Sequence, residues 1–166
     1  HGRFLEDVRY AGIVCAMEGK VWSVRQAQWA TDSEGLLEVR GEVFVVEQGV
    51  DVSVERDGRD GECLHAIAEN PEGLPIGAGR ISREGKIGRI AVLVAWRGQG
   101  VGTAMMHELL RQAERSGMRN TYLHSQSSAA GFYLQFGYLR EGDEFLEAQI
   151  PHLKMVRTVD GNGKAG

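Results

Sequence analysis

The stretch that decides the fold reads Arg89-Ile90-Ala91-Val92-Leu93-Val94-Ala95-Trp96-Arg97-Gly98-Gln99-Gly100-Val101-Gly102-Thr103 and continues to Ser116. Residues 90–94 are a short β-branched and apolar run, the composition of a strand covered on both faces. From Thr103 the period changes. Ala104, Met105, Leu109 and Ala113 recur at helical spacing, with Glu108, Arg111, Gln112 and Arg115 on the side assigned to water. Between strand and helix, Gly98, Gly100 and Gly102 let the backbone approach a ligand with no Cβ in the way. The first N–H groups of a helix have no intrahelical partners and carry partial positive charge, so the turn suits an anion such as a phosphate. Arg97 adds a full charge.

Two nucleotide motifs do not fit. A dinucleotide fingerprint needs Gly-x-Gly-x-x-Gly and an acidic residue at the end of the next strand. Here the glycines alternate, and the next strand, 121–124, ends without an acid. A P-loop needs Gly-Lys-Ser/Thr, and Gly102-Thr103 has no lysine.

The turn resembles the acetyl-coenzyme-A signature of the GNAT superfamily of N-acetyltransferases, Arg/Gln-x-x-Gly-x-Gly/Ala after a strand, filled in register by Arg97, Gly100 and Gly102. The resemblance implies that amides from Gly98 through Gln99, Gly100, Val101 and Gly102 to Thr103 hold a pyrophosphate. It also implies that Ile90, Ala91 and Val92 bond the pantetheine arm, with the Val92 N–H at the acetyl oxygen. A second segment, Ala129-Ala130-Gly131-Phe132-Tyr133-Leu134-Gln135-Phe136-Gly137-Tyr138, is similar to the family's Ala-x-x-x-Tyr-x-x-x-Gly-Phe. It brings Ala129, Phe132 and Tyr133 to the coenzyme, with the Tyr133 phenol beside the sulfur as the acid. Arg40-Gly41-Glu42-Val43-Phe44-Val45-Val46-Glu47-Gln48, followed by Glu55, Asp57 and Asp60, looks like a small bacterial branch of the family.

Composition sets the frame. With 166 residues, 42% hydrophobic and 25% charged, the chain has the make-up of one globular domain with its own core. The expected division is an N-terminal extension at 1–18, begun by an expression remnant, a catalytic domain at 19–159 and a flexible tail at 160–166. Cys15 and Cys63 lie in no metal-like or Cys-x-x-Cys spacing, which favours a reducing, cytoplasmic setting and no bound metal. A net charge of −4 argues against a nucleic-acid surface, weakly favours a cationic amine, and no apolar run suits a membrane span. A monomer or homodimer is expected.

The rest of the chain reads as a strand at 21–27 and a capping box Thr31-Asp32-Ser33-Glu34 opening a helix over 33–46. On that helix Leu36, Leu37, Val43 and Phe44 face the core, and Arg40 and Glu47 share one side. A long ordered loop covers 48–62, with strands at 63–69 and 76–82 and a hairpin into the signature strand. Beyond the signature helix come a strand at 121–125, a short helix at 128–136, and strands at 138–144 and 152–159. The order is α+β, a mixed, mostly antiparallel sheet of six or seven strands flanked by helices, as in the GNAT fold.

Moving an acetyl group from a thioester to an amine requires a neutral amine. Alkylamines of pKa about 10.4 are protonated at pH 7, so a base is needed. Some relatives carry a glutamate early in the strand after the signature helix, where this chain has Thr121. Candidates for the base are Glu47, His124 and His152, with Arg40, Glu47 and His124 as contacts to the substrate and Gln126 as a partner for the pantetheine amide. The reading is an acetyl-CoA-dependent transfer to a primary amine of a small molecule or peptide. Alternatives are an acyl-homoserine-lactone-synthase-like enzyme, which the set Arg40, Phe44, Glu47, Asp57, Asp60 and Arg80 also resembles, and a coenzyme-binding sensor without activity.

Overall fold

The computed structural model describes residues 13–17 and 20–158. The strands are β1 (Ile13–Met17), β2 (Lys20–Ala27), β3 (Leu64–Glu69), β4 (Pro75–Ile81), β5 (Lys86–Val92), β6 (Asn120–Gln126), β7 (Leu139–Arg140), β8 (Phe145–Glu147) and β9 (Ile150–Thr158). The helices are α1 (Trp29–Arg40), α2 (Val52–Glu55), α3 (Val101–Arg115) and α4 (Ala130–Leu134). Among the described residues the nine strands join one sheet in the order β1-β2-β3-β4-β5-β6-β9-β7, with β8 also on β9.

Alternation along the strands divides the core between two faces. Ala66 and Ala68 of β3 pack with Val101, Ala104, Met105 and Leu109 of α3, whereas Ile67 between them packs with Leu36 and Val39 of α1. The sheet is thus covered by α3 on one side and α1 on the other.

Every strand pair is antiparallel except β5 and β6. That parallel pair consists of Lys86↔Tyr122 and Ile87↔Leu123, beyond which the strands part. The cause is on β5. Its register against β4 shifts between Ala78↔Ala91 and Arg80↔Gly88, and Arg89 there takes a left-handed φ of 54°. One extra residue on β5 bends the strand away from β6 and opens a wedge in the sheet.

Several expectations are corrected. The first helix begins at Trp29 rather than Ser33, and the Asp32 carboxylate reaches back to the Gln28 N–H at 2.8 Å while gripping Arg25. The expected 33–46 helix changes character at Gly41, where Gly41–Glu47 winds as a wider π-helix. The loop at 48–62 contains α2 and a 3₁₀ turn, Asp60–Glu62. Residues 138–144 hold only the short β7, and β8 was not foreseen. On α3, Glu108 and Gln112 are buried rather than wet: Gln112 Nε2 donates to the His65 carbonyl and to Glu108, which also holds Arg111. Of the assigned N-terminal extension, Ile13–Met17 is a sheet strand on β2; the 160–166 tail lies outside the described residues.

Candidate active site

The wedge between β5 and β6 is a cavity of about 650 Å³. Ile90, Ala91 and Val92 form one wall and His124 and Gln126 the other, with Ala129, Phe132 and Tyr133 from the α4 region and His152 from β9 closing it. Leu93 N–H bonds the Ile76 carbonyl at 2.9 Å. Strand alternation therefore turns the N–H and C=O of Val92 away from β4, toward the space that β6 has vacated. The Val92 carbonyl accepts from Arg97 Nε at 2.8 Å, and the Val92 N–H faces the wedge.

The glycine turn is built as a cradle at the start of α3. Gly100 is the N-cap with φ 88°, a left-handed conformation that a side chain would strain. The first helical rung is Ala104 N–H to the Gly100 carbonyl at 3.0 Å, so the amides of Val101, Gly102 and Thr103 lie before the helix ladder begins. The Val101 side chain is buried against the sheet, and its contribution is its amide. A Cβ on Gly98 would meet nothing within 4 Å, so the lip of the turn is open. These features suit a pyrophosphate.

Arg97 does not point its charge freely at that turn. Nη1 and Nη2 bind the two oxygens of Glu47 at 2.7 Å each, and both side chains are near the surface. The pair raises the guanidinium pKa and holds the Glu47 carboxyl below its ordinary value. Glu47 is not among the residues that line the cavity. Gln99, on the same turn, folds back to the Ala95 carbonyl at 3.3 Å. Gln126 donates to Gln48 Oε1 at 2.9 Å and keeps a place in the cavity wall.

Arg40, expected at the substrate, is 1% exposed and does not line the cavity. It is clamped by Glu55 and by Asp60, the latter at 2.7 Å from Nη1. Asp60 also receives Arg80 at 2.8 Å, and Arg80 holds Asp57. Arg89 donates to the carbonyls of Glu55, at 3.0 and 3.2 Å, and of Val54 at 3.2 Å. Burial opposes ionisation of Asp60, yet bonds from Arg40 and Arg80 keep its pKa below normal. This network ties α2 to the bulge of β5 and floors one end of the wedge.

At the other wall, the paired strands bring together groups distant in sequence. His124 Nδ1 lies 2.9 Å from Glu147 Oε1, and His152 Nε2 lies 3.7 Å from Glu147 Oε2. His152 Nδ1 is 2.7 Å from the Ile150 carbonyl, which can only accept, so in the neutral ring Nδ1 carries the proton and Nε2 the lone pair. Phe145 sits between the two imidazoles, with ring centroids 5.0 Å from His124 and 6.1 Å from His152. Burial would raise the Glu147 pKa, but the His124 hydrogen bond and the charge of Lys86 outweigh it and keep the group ionised. Glu147 was missed because β8 is too short to leave a sequence pattern.

Tyr133 lines the cavity, and burial pushes its phenol up to about 12. The Thr121 hydroxyl, where some relatives carry a carboxylate, is buried 2.7 Å from the Tyr138 hydroxyl.

A family model described as an acetyltransferase (GNAT) domain matches residues 26–159. The chain belongs to the GNAT acetyltransferase family. A Bacillus subtilis protein named as an acetyltransferase is 34% identical over 83% of this chain and 97% of its own length. The N-acetyltransferase YjcF of the same organism is 40% identical over 72% of this chain and 87% of its own. Among solved structures, an acyl-CoA N-acyltransferase from Pseudomonas aeruginosa superposes with a TM-score of 0.74 at 32% identity, covering 82% of this chain and 99% of that one. The splayed β5–β6 pair and the glycine turn of this GNAT domain are thus parts of an acyltransferase scaffold.

Proposed function

We propose that the protein transfers the acetyl group of acetyl-CoA to a primary amine of a small molecule or peptide, by direct attack while both substrates are bound. The observation that carries the reading is the wedge itself, whose lining brings Val92, Tyr133 and His152 to one cavity together with Arg97, the residue that enters the glycine turn. Amides of Gly98, Gly100, Val101, Gly102 and Thr103 would hold the pyrophosphate, and Ile90, Ala91, Gln126, Ala129 and Phe132 the pantetheine arm. When bound, acetyl-CoA supplies a thioester, an acyl carbon with a departing thiolate.

The chain's own groups account for the proton movements. An ammonium must lose one proton before its nitrogen can attack and a second as the C–N bond forms. The first proton leaves to solvent as the amine binds in its neutral form; the second, shed as the C–N bond forms, goes to His152 Nε2, directly or through water, and the ionised Glu147 stabilises the imidazolium. As the C–N bond forms and the C–S bond breaks, charge on the acyl oxygen meets the Val92 N–H. Tyr133 stays neutral at physiological pH and donates its proton, or a hydrogen bond, to the sulfur. Holding both reactants in the wedge supplies up to roughly 7–11 kcal/mol of the barrier reduction.

Titration calorimetry with acetyl-CoA tests the site. Wild-type protein is expected to bind, and Gly100→Asp, which adds strain and a negative charge at the cradle, is expected to abolish binding. Equal binding by both proteins would overturn the reading.

A further inference from the structure

The cavity's charges are not all matched. Arg59, Arg80 and Arg97 line it, and each has a carboxylate within 2.8 Å, from Glu84, Asp60 and Glu47 respectively. Arg89 is different. Its carboxylate contact is Asp57 Oδ2 at 3.5 Å, an oxygen that Arg80 Nη2 already holds. Nε and Nη2 donate to backbone carbonyls of α2, and among the described residues Nη1 has no acceptor. A guanidinium carries five N–H donors, so part of this fork faces the cavity unanswered. Burial and the nearby Arg80 depress the Arg89 pKa, the mark of a cation short of compensation.

Lys86 adds a second. It lines the same cavity, and among the described residues no carboxylate lies within 4.0 Å of its ammonium. The carboxylate whose pKa it lowers, Glu147, is already bonded to His124.

Position along β5 gives these cations a role. Val92 stands where the strands have parted, Lys86 where they still pair, and Arg89 on the bulge between. At about 3.3 Å per residue, Arg89 lies roughly 10 Å along the strand from Val92, deeper in the wedge. A molecule with its amine at Val92 and His152 that extends along β5 reaches Arg89 and Lys86.

We infer that the acceptor is an amine bearing a carboxylate, as in an amino acid or a short peptide, with the carboxylate received by Arg89 and Lys86. The inference rests on the acetyl-transfer reading and adds the chemistry of the acceptor. It runs against the weak preference for a cationic amine that the overall charge of −4 suggests, because the groups facing the cavity, and not the net charge, meet the substrate.

The test compares matched acceptors on wild-type protein: free amino acids against their carboxamides, and short peptides with free against amidated C-termini. Thiol release reports turnover. Calorimetry on protein saturated with desulfo-CoA, which cannot react, reports acceptor binding. The expected result is a preference for the carboxylate of about ten- to hundred-fold in kcat/KM, the scale of one charged hydrogen bond, with a parallel difference in affinity. The amino-acid and peptide arms identify the source of the carboxylate.

In Lys86→Met and Arg89→Gln the carboxylate-to-amide ratio is expected to fall toward one. Lys86→Met, which breaks no bond to α2, and the wild-type panel stand independently of any unfolding by Arg89→Gln. Carboxamides used as well as carboxylates by wild-type protein would overturn the inference and leave acetyl transfer standing. Failure to bind acetyl-CoA would remove the reading beneath it, and the inference with it.

Discussion

Arg97 and Glu47, fifty positions apart, close a two-point ion pair with both N–O distances at 2.7 Å. The cation nearest the glycine turn is thus held by the end of the π-helix. An anion at that turn would compete with Glu47 for the guanidinium. In Glu47→Gln this competition is removed, and acetyl-CoA affinity is expected to rise a few-fold, the scale of an exposed pair. Arg97→Gln should lower it. Calorimetry at low and high salt is the check, since the gain in Glu47→Gln should shrink as salt screens it; weaker binding by Glu47→Gln would show that the carboxylate supports the site.

Tyr133→Phe is expected to lower kcat about 10²–10⁴-fold with a small change in the KM for acetyl-CoA, because only the proton donor is removed. Phenol ionisation also makes a stability prediction. The folded pKa is raised from 10 to about 12, so the protonated form is the one favoured in the fold. That contribution is complete below pH 10 and is lost as pH rises toward 12, at a cost of roughly 3 kcal/mol. Denaturant titrations from pH 9 to 11 should show a steeper decline in wild-type protein than in Tyr133→Phe.

His152 and Glu147 are predicted to act in series. His152→Gln removes the accepting lone pair and should cost about 10²–10⁴-fold in kcat. Glu147→Gln leaves that lone pair in place and should cost less. Because the Glu147 carboxyl titrates below its ordinary value, its charge, and the stability that charge contributes, is present above the ordinary carboxylate range and lost as pH falls through the lowered value. Rate and stability profiles between pH 3 and 6 should therefore be flatter in Glu147→Gln. A kcat unchanged in His152→Gln would move the base to His124, whose Nε2 is the alternative acceptor.

Arg40 is the centre of the ion network that floors one end of the wedge. Replacing it with Met leaves Glu55 and Asp60 buried without their shared cation, which is expected to cost about 3–5 kcal/mol and to lower Tm by on the order of 10 °C. The lowered pKa of Asp60 sets the sign with pH. Its contribution is present above the ordinary carboxylate range and lost as pH falls through the lowered value, so the gap between wild type and Arg40→Met should narrow below about pH 4. Thermal melts from pH 3 to 7 measure it.

The legible part of the site was the part built from neighbours in sequence. The strand–turn–helix at 89–116 carries its own evidence, because glycine spacing and a change of period are local signals, and the family it implied is the family the chain belongs to. Tyr133 and Phe132 were named from a contiguous segment and line the cavity. Helical arithmetic places Arg40 and Glu47 on one side of a helix. The π-turn at Gly41–Glu47 breaks that arithmetic and sends one to a buried clamp and the other to Arg97.

By itself, then, the sequence determined the strand–turn–helix at 89–116, the glycine cradle within it and the Tyr133 segment, since each depends on residues a few bonds apart. Only the tertiary structure decided that β5 leaves β6 after Ile87, that Glu147 stands between His124 and His152, and that Lys86 and Arg89 face the wedge without a full set of anions. Those facts depend on strand register and on which opposite charges a fold brings within a few ångströms, and Coulomb forces act on that distance, not on separation along the chain.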